Sequence, residues 1–267
     1  MTKVRRKDRR EARADTRSLL PMMAEGQPVH FRPGIKPIKA LNPTQANYIK
    51  AVTTATLVFG VGPAGTGKTW IAARMAAEAL RDGETGKIFI TRPAVEAGEE
   101  LGFLPGELEE KFEPYFRPVR DALEEGLGAG ATEYMIKAKK IEVRPLAYLR
   151  GATFKDCWVI LDEAQNTTPL QMKLFLARIG ENAKIIINGD PSQKDIPGLL
   201  GLVDGLDLVE GMADTAVVRF GIEDVVRSGI TREILRRYDA RGSSPSAERY
   251  NAEHDDSTGL RRFLRAG

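Results

Sequence analysis

Gly62-Pro63-Ala64-Gly65-Thr66-Gly67-Lys68-Thr69 is the stretch on which the fold of this chain turns. It runs glycine, four residues, glycine, lysine and a hydroxyl residue, the spacing of a phosphate-binding loop. The chemistry explains that spacing. Glycines let backbone N–H groups turn inward and cradle phosphate oxygens without Cβ clashes. Lys68 supplies a point charge for the β- and γ-phosphates, and the Thr69 hydroxyl is a ligand for Mg²⁺.

A glycine-rich loop is common by itself, so the flanks matter. Thr56-Leu57-Val58-Phe59-Gly60 precedes it, a short apolar run that reads as a buried strand. Trp70 to Leu80 follows, rich in Ala and Leu, and reads as a helix. Strand, loop, helix sets the loop on a helix N-terminus, where anions are favoured. A plain glycine turn accounts for neither Lys68 nor Thr69 nor this order. Nucleotide binding by Gly62 through Trp70 is therefore expected.

Further out, Asn42 suits a helix N-cap and Pro43 the first helical position, with a helix to about Val52. Apolar runs at Lys87–Arg92, Ile141–Arg144, Cys157–Asp162, Lys184–Asn188 and Ala216–Phe220 alternate with helical segments. That alternation predicts an α/β fold, a mostly parallel sheet flanked by helices. Residues 93–140 read as a long acidic insertion dotted with Pro and Gly. Its acids from Glu96 to Glu113 suit a solvated helical face better than a nuclease metal site. The expected organisation is a basic, Pro-containing flexible arm over 1–40, one domain over 41–240 and a flexible tail over 241–267.

Hydrophobic residues make up 42% and charged residues 29%, as in water-soluble globular proteins. No apolar run approaches the roughly 18 residues of a membrane span, and no signal-peptide core is evident, so no membrane partner and a cytoplasmic location are expected. The one cysteine, Cys157, excludes an internal disulfide and reads as a small buried hydrophobe. His30 and His254 fall in segments that read as flexible, which leaves no zinc-site spacing. Residues 1–17 carry eight basic and three acidic side chains, a net of +5; the whole chain is +3, so residues 18–267 come to −2. The basic character belongs to the arm, which suits either a nucleic-acid tether or a solubilising tail.

Cys157-Trp158-Val159-Ile160-Leu161-Asp162-Glu163 is the second decisive run. A buried strand ends here in two carboxylates at the edge where open α/β sheets place ligands. Asp162 would hold Mg²⁺, and Glu163 would polarise the water attacking the γ-phosphate. Asn188-Gly189-Asp190-Pro191-Ser192-Gln193 also ends a strand in polar groups, from which Gln193 or Asp190 could sense the γ-phosphate. Arg92, at the end of another strand, reads equally as a nucleic-acid contact or a surface charge. Arg227, after the last strand, could meet phosphate.

Taken together, these residues resemble the PhoH-like ATPases, relatives of the N-terminal motor domain of superfamily-one helicases. The resemblance rests on the Gly62–Thr69 loop, the Ile90–Gly106 run, Ile141–Gly151, Leu161–Asn166 and Asn188–Gln193, and covers about residues 40–240. The second and third of these are the specific ones. The resemblance implies a single RecA-like P-loop NTPase domain using ATP and Mg²⁺. It implies that Gln45 reads adenine, that Arg92 lies near single-stranded nucleic acid and that Gln193 couples γ-phosphate to nucleic-acid binding. It makes Arg227 a γ-phosphate arginine and Arg150 a candidate to reach a neighbouring subunit. One motor domain where such helicases have two implies that another protein surface completes the site, as in a homo-oligomeric, hexameric ring. The expected function is a helicase-like ATPase dependent on single-stranded nucleic acid, RNA ahead of DNA. The alternative is an ATP-driven oligomeric switch that remodels a protein partner without nucleic acid.

Overall fold

The computed structural model describes residues 31, 34–93, 108–149, 151, 153–193 and 200–242. The basic arm to residue 30, the acids from Glu96 to Glu107, Arg150 and the tail from residue 243 lie outside the described residues.

The central strands are mostly apolar and buried because both faces of the sheet are covered there, whereas the edge strands are half-buried. β1 (Leu57–Val61), β2 (Ile88–Arg92), β3 (Ile141–Pro145), β4 (Trp158–Leu161), β5 (Lys184–Gly189) and β6 (Thr215–Arg219) form one sheet in the order β3-β2-β4-β5-β1-β6. All its pairings are parallel. β5 therefore lies between the strand entering the glycine loop and the strand ending in Asp162, the RecA-like arrangement. Successive residues alternate between two cores, as the two-residue period of a strand requires. Val58, Ile160 and Ile186 face the first, with α1 (Pro43–Thr54), α2 (Lys68–Arg81), α3 (Leu108–Leu127) and α4 (Ala129–Lys137). Phe59, Val159, Leu161, Ile185 and Ile187 face the second, with α5 (Pro169–Leu176) and α6 (Gly201–Val209). A last helix, α7 (Gly229–Gly242), follows β6 through a short 3₁₀ turn at Ile222–Asp224.

Local chemistry fixes the first helix as expected. The Asn42 side chain accepts from Gln45 N at 2.8 Å, and Pro43 occupies the first turn. Strand ends differ from the sequence expectation by a residue or so. The long insertion read over 93–140 contains two helices, α3 and α4, and α3 packs on α2 and β3. Two aromatics that could stack on bases differ in exposure: Phe116 is core and Tyr148 is exposed.

Candidate functional site

The C-terminal ends of β1, β4 and β5 open into a cavity of about 470 Å³ where the two decisive sequence runs meet. The glycine loop turns at positive φ at Gly62, Gly65 and Gly67. Space matters as well as torsion. A Cβ on Gly62 would lie 2.2 Å from the Phe220 carbonyl oxygen, so the loop can pass the end of β6 only as glycine. Lys68 is the first residue of α2, and its ammonium folds back on the loop. Nζ donates to the Gly62 and Pro63 carbonyls, each at 2.7 Å, and to the Thr66 hydroxyl at 3.1 Å. Burial pushes its pKa down, while Asp190, Asp162 and Glu163 pull it up. The cation is thus stored at the loop, short of partners of full negative charge.

Across the cavity, the Thr69 hydroxyl donates to Asp162 Oδ1 at 2.7 Å. Asp162 is 2% exposed and also accepts Arg92, from Nε at 3.1 Å to Oδ2 and from Nη2 at 2.6 Å. Nη2 further lies 3.9 Å from Glu163 Oε1. Arg92 therefore points inward at the two carboxylates. The sequence could not choose between a nucleic-acid contact and a surface charge, and the structure shows an ion pair.

Glu163 has φ of 54°, a left-handed conformation rare for a residue with a side chain. Such torsions concentrate where function over-determines the backbone. The strained turn brings its carboxylate to Gln165, whose Nε2 donates to Glu163 Oε2 at 2.7 Å. Gln165 Oε1 in turn accepts from Asp190 N at 3.0 Å, tying the end of β4 to the end of β5. A Cβ on the intervening Gly189 would come within 2.9 Å of that same oxygen. Beyond Asp190, the Ser192 hydroxyl and amide both donate to Asp190 Oδ1, and Gln193 N donates to the Asp190 carbonyl. Gln193 lines the cavity from this turn.

Arg227 reaches the cavity from the chain just before α7. Val226 N donates to the Gly65 carbonyl at 2.9 Å, and Arg227 Nε lies 2.9 Å from where a Gly65 Cβ would stand. Gln45 does not line the cavity. Its Nε2 donates to the Thr66 carbonyl at 2.9 Å and its Oε1 accepts from Leu41 N at 2.9 Å, so it braces the loop with both ends of its amide. Each end keeps a second donor or acceptor, but neither faces the cavity lining. Trp70 lies at the cavity rim, between it and a second hollow lined by Lys36, Lys39 and Arg74. Lys68, Thr69, Asp162, Glu163, Gln193 and Arg227 are thus brought together.

Sequence reasoning missed Gln165, and with it Pro118, Asp121 and Glu125, which α3 contributes to the cavity wall. Gln165 carried a signal, two residues beyond Glu163 in a run already singled out. It also missed the buried Tyr48–Asn188 pair, in which the Tyr48 hydroxyl donates to Asn188 Oδ1 at 2.5 Å behind Gly60. Burial holds the Tyr48 phenol well above its ordinary pKa, so it stays a donor.

The donor set fits a nucleotide phosphate chain and a divalent cation. A hydroxyl and a carboxylate meet opposite a lysine and a row of glycines too crowded for side chains. Among the described residues no group of three or more His, Cys, Asp and Glu could hold a metal unaided. Such a site suits a cation that keeps water and takes substrate oxygens, as Mg²⁺ does. Among them also, no helix is long and apolar enough to cross a membrane.

The family model and the sequence relatives agree on one family. Residues 37–239 match the family model described as PhoH-like protein. Protein PhoH of Escherichia coli strain K12 is 50% identical over 206 residues, 76% of this chain and 58% of that protein. A PhoH-like protein of Bacillus subtilis strain 168 is 49% identical over 206 residues, 76% of this chain and 65% of that one. The chain thus spans less than two thirds of the length of either relative. Among solved structures, the large terminase from a thermophilic bacteriophage has 13% identity and a TM-score of 0.48, over 74% of this chain and 50% of that one.

Proposed function

This chain belongs to the PhoH family, and from that premise we propose that it is a Mg²⁺-dependent ATPase, stimulated by single-stranded nucleic acid and working as a ring of copies. The carrying observation is the convergence of Lys68, Thr69, Asp162 and Glu163 on one cavity, with Thr69 Oγ1 already 2.7 Å from Asp162 Oδ1.

In this reading, phosphate oxygens replace the carbonyls that Lys68 now holds, and the loop N–H groups orient the chain of phosphates. Thr69 and Asp162 would hold the cation, which supplies charge neutralisation at the β- and γ-oxygens. Glu163, oriented by Gln165, accepts the proton of the attacking water. The bond from γ-phosphorus to the bridging oxygen breaks, and ADP and phosphate leave. Arg227 and Gln193 stand at the γ-phosphate end, where they stabilise charge and report its loss. An arginine from a neighbouring copy, with Arg150 as a candidate, completes the site.

RNA is favoured over DNA as the stimulating strand, on the family resemblance. A second reading, an oligomeric switch remodelling a protein partner, draws on the inward turn of Arg92 and on a body whose charge, −2 over residues 18–267, is close to balanced. Steady-state ATP turnover with no nucleic acid, single-stranded RNA or single-stranded DNA, at two salt concentrations, separates the two. Stimulation that fades with salt supports the motor, because phosphate contacts weaken as salt rises. A rate indifferent to every addition supports the switch. No turnover under any condition would overturn both.

A further inference from the structure

Outside the cavity, the exposed apolar side chains of the described residues include a row on α7 whose chemistry is matched by a groove elsewhere on the domain. On α7, Ile230, Ile234 and Tyr238 are 72%, 48% and 67% exposed. Their four-residue spacing places them on one helical face. The helix leans on its own domain mainly at the Ile222–Asp224 turn, where Arg236 pairs with Glu223 at 2.7 Å. An isolated helix of 14 residues is marginal by propensity alone, so an uncovered apolar face implies a cover.

The groove lies along β6, the sheet edge, which among the described residues pairs with β1 alone. Together with α6 this strand frames a groove of about 350 Å³ lined by Leu206, Met212 and Val217 and by three charged side chains, Asp207 and Glu210 against Arg219. The net charges are opposite, although Arg236 and Arg237 already pair with Glu223 and Glu233. Residues 229–242 contain four arginines against Glu233 and Asp239, whereas residues 200–214 contain four acids and no lysine or arginine. A helix with an apolar face and a net positive charge fits a mixed groove that offers Leu206, Met212 and Val217 and a net negative charge, two acids against Arg219.

We infer that α7 of one copy docks in the α6–β6 groove of the next copy of this chain. The inference rests on the reading of the chain as a self-assembling ATPase and supplies the surface through which copies meet. Two different patches make the contact, so it is head-to-tail and propagates around a ring when the rotation closes. It also reaches the site. Val226 and Arg227, held against Gly65, directly precede α7. A neighbour's grip on the helix therefore bears on the arginine facing the cavity.

Mass photometry of the full chain with ATP analogue and Mg²⁺ tests this. The wild type is expected to assemble, and Ile234→Glu and Met212→Glu, both at exposed positions, are each expected to weaken assembly by about tenfold or more, since each sets a carboxylate in an apolar contact. Unchanged circular dichroism would show that both variants fold. The decisive arm mixes them. One intact helix and one intact groove make a single junction, so the mixture should give dimers that neither variant gives alone. Assembly by both variants at wild-type strength would overturn the surface while leaving the ring intact. No dimers on mixing would overturn the head-to-tail pairing. A wild type that hydrolyses ATP at full rate as a monomer would overturn the ring itself, and this inference with it. Groove amides protected from exchange in that monomer would assign the groove to a segment of the same chain.

Discussion

Replacing Arg92 with alanine removes the guanidinium that satisfies Asp162 Oδ2 through two contacts, at 2.6 and 3.1 Å. The Asp162 side chain, 3% exposed, keeps the Thr69 hydroxyl as its remaining hydrogen-bond donor among the described contacts. Deleting one member of a buried ion pair costs about 3–5 kcal/mol, because the other charge is left uncompensated. The Arg92 side chain is 18% exposed, so water can enter where it stood. A loss of about 2–3 kcal/mol is expected on that ground. In a domain of this size that lowers Tm by about 4–12 °C. Added MgADP should restore more stability to the variant than to the wild type, because its cation meets a carboxylate with no competing guanidinium. Arg92→Lys should fall between, keeping the charge but losing the two-pronged geometry. Differential scanning calorimetry with and without MgADP reads both effects. A variant melting within about 1 °C of the wild type, where the loss worked above requires several degrees, would refute the competition between Arg92 and a cation for Asp162. So would an equal gain from MgADP in the two proteins.

Gly65→Ala sets a methyl 2.9 Å from Arg227 Nε and 3.3 Å from its Cδ, at a φ of +80°. The long side chain should swing away, so kcat falls by more than tenfold while ATP affinity changes by less; equal losses in both would mean that Arg227 serves only to hold the loop. Glu163→Gln should bind a fluorescent ATP analogue as the wild type does and release no phosphate, whereas lost binding would remove Glu163 from the role of base. Cys157 is buried and its thiol is pushed up to about 11, so its alkylation by iodoacetamide should rise steadily from about pH 7 to about pH 10. A plateau near pH 9 would instead mark an ordinary exposed thiol.

Much of the core was legible because a parallel sheet covered on both faces needs unbroken apolar strands. Val58 and Phe59 serve opposite cores, so a continuous run was the right signal. The loop was legible because phosphate chemistry fixes residue types, not only hydropathy. The helices of 108–137 were hidden by residues that usually break them. Pro118 lies within α3, and Gly126, which resembles a loop glycine, is a contact point where a Cβ would meet Ala77 Cβ at 2.5 Å. Beyond the helical face read as far as Glu113, the span gives no helix signal until its packing on α2 is known. The direction of Arg92 was illegible for a different reason. An arginine at a strand end meets solvent or a neighbouring strand according to what ends beside it, and β2 and β4 are neighbours only in the folded sheet.

Two chains of polar contacts leave the cavity, and they run in different directions. One passes from Asp162 through Arg92 to the end of β2; the other passes from Glu163 through Gln165 to Asp190 and the turn bearing Gln193. The first contains the carboxylate proposed to hold metal, the second the carboxylate proposed to activate water. Linkage makes the first of these reciprocal. If a cation at Asp162 weakens its hold on Arg92, then an anion that captures Arg92 strengthens the hold of Asp162 on a cation by the same factor. A nucleic-acid phosphate is such an anion. The inward ion pair and the nucleic-acid contact expected of Arg92 are then two positions of one residue rather than rival readings. Wild-type chain titrated with single-stranded RNA should bind MgADP more tightly, and Arg92→Ala should show no such gain. An RNA-driven gain that survives in Arg92→Ala would route the coupling elsewhere, and the Gln165 connection would be the remaining path.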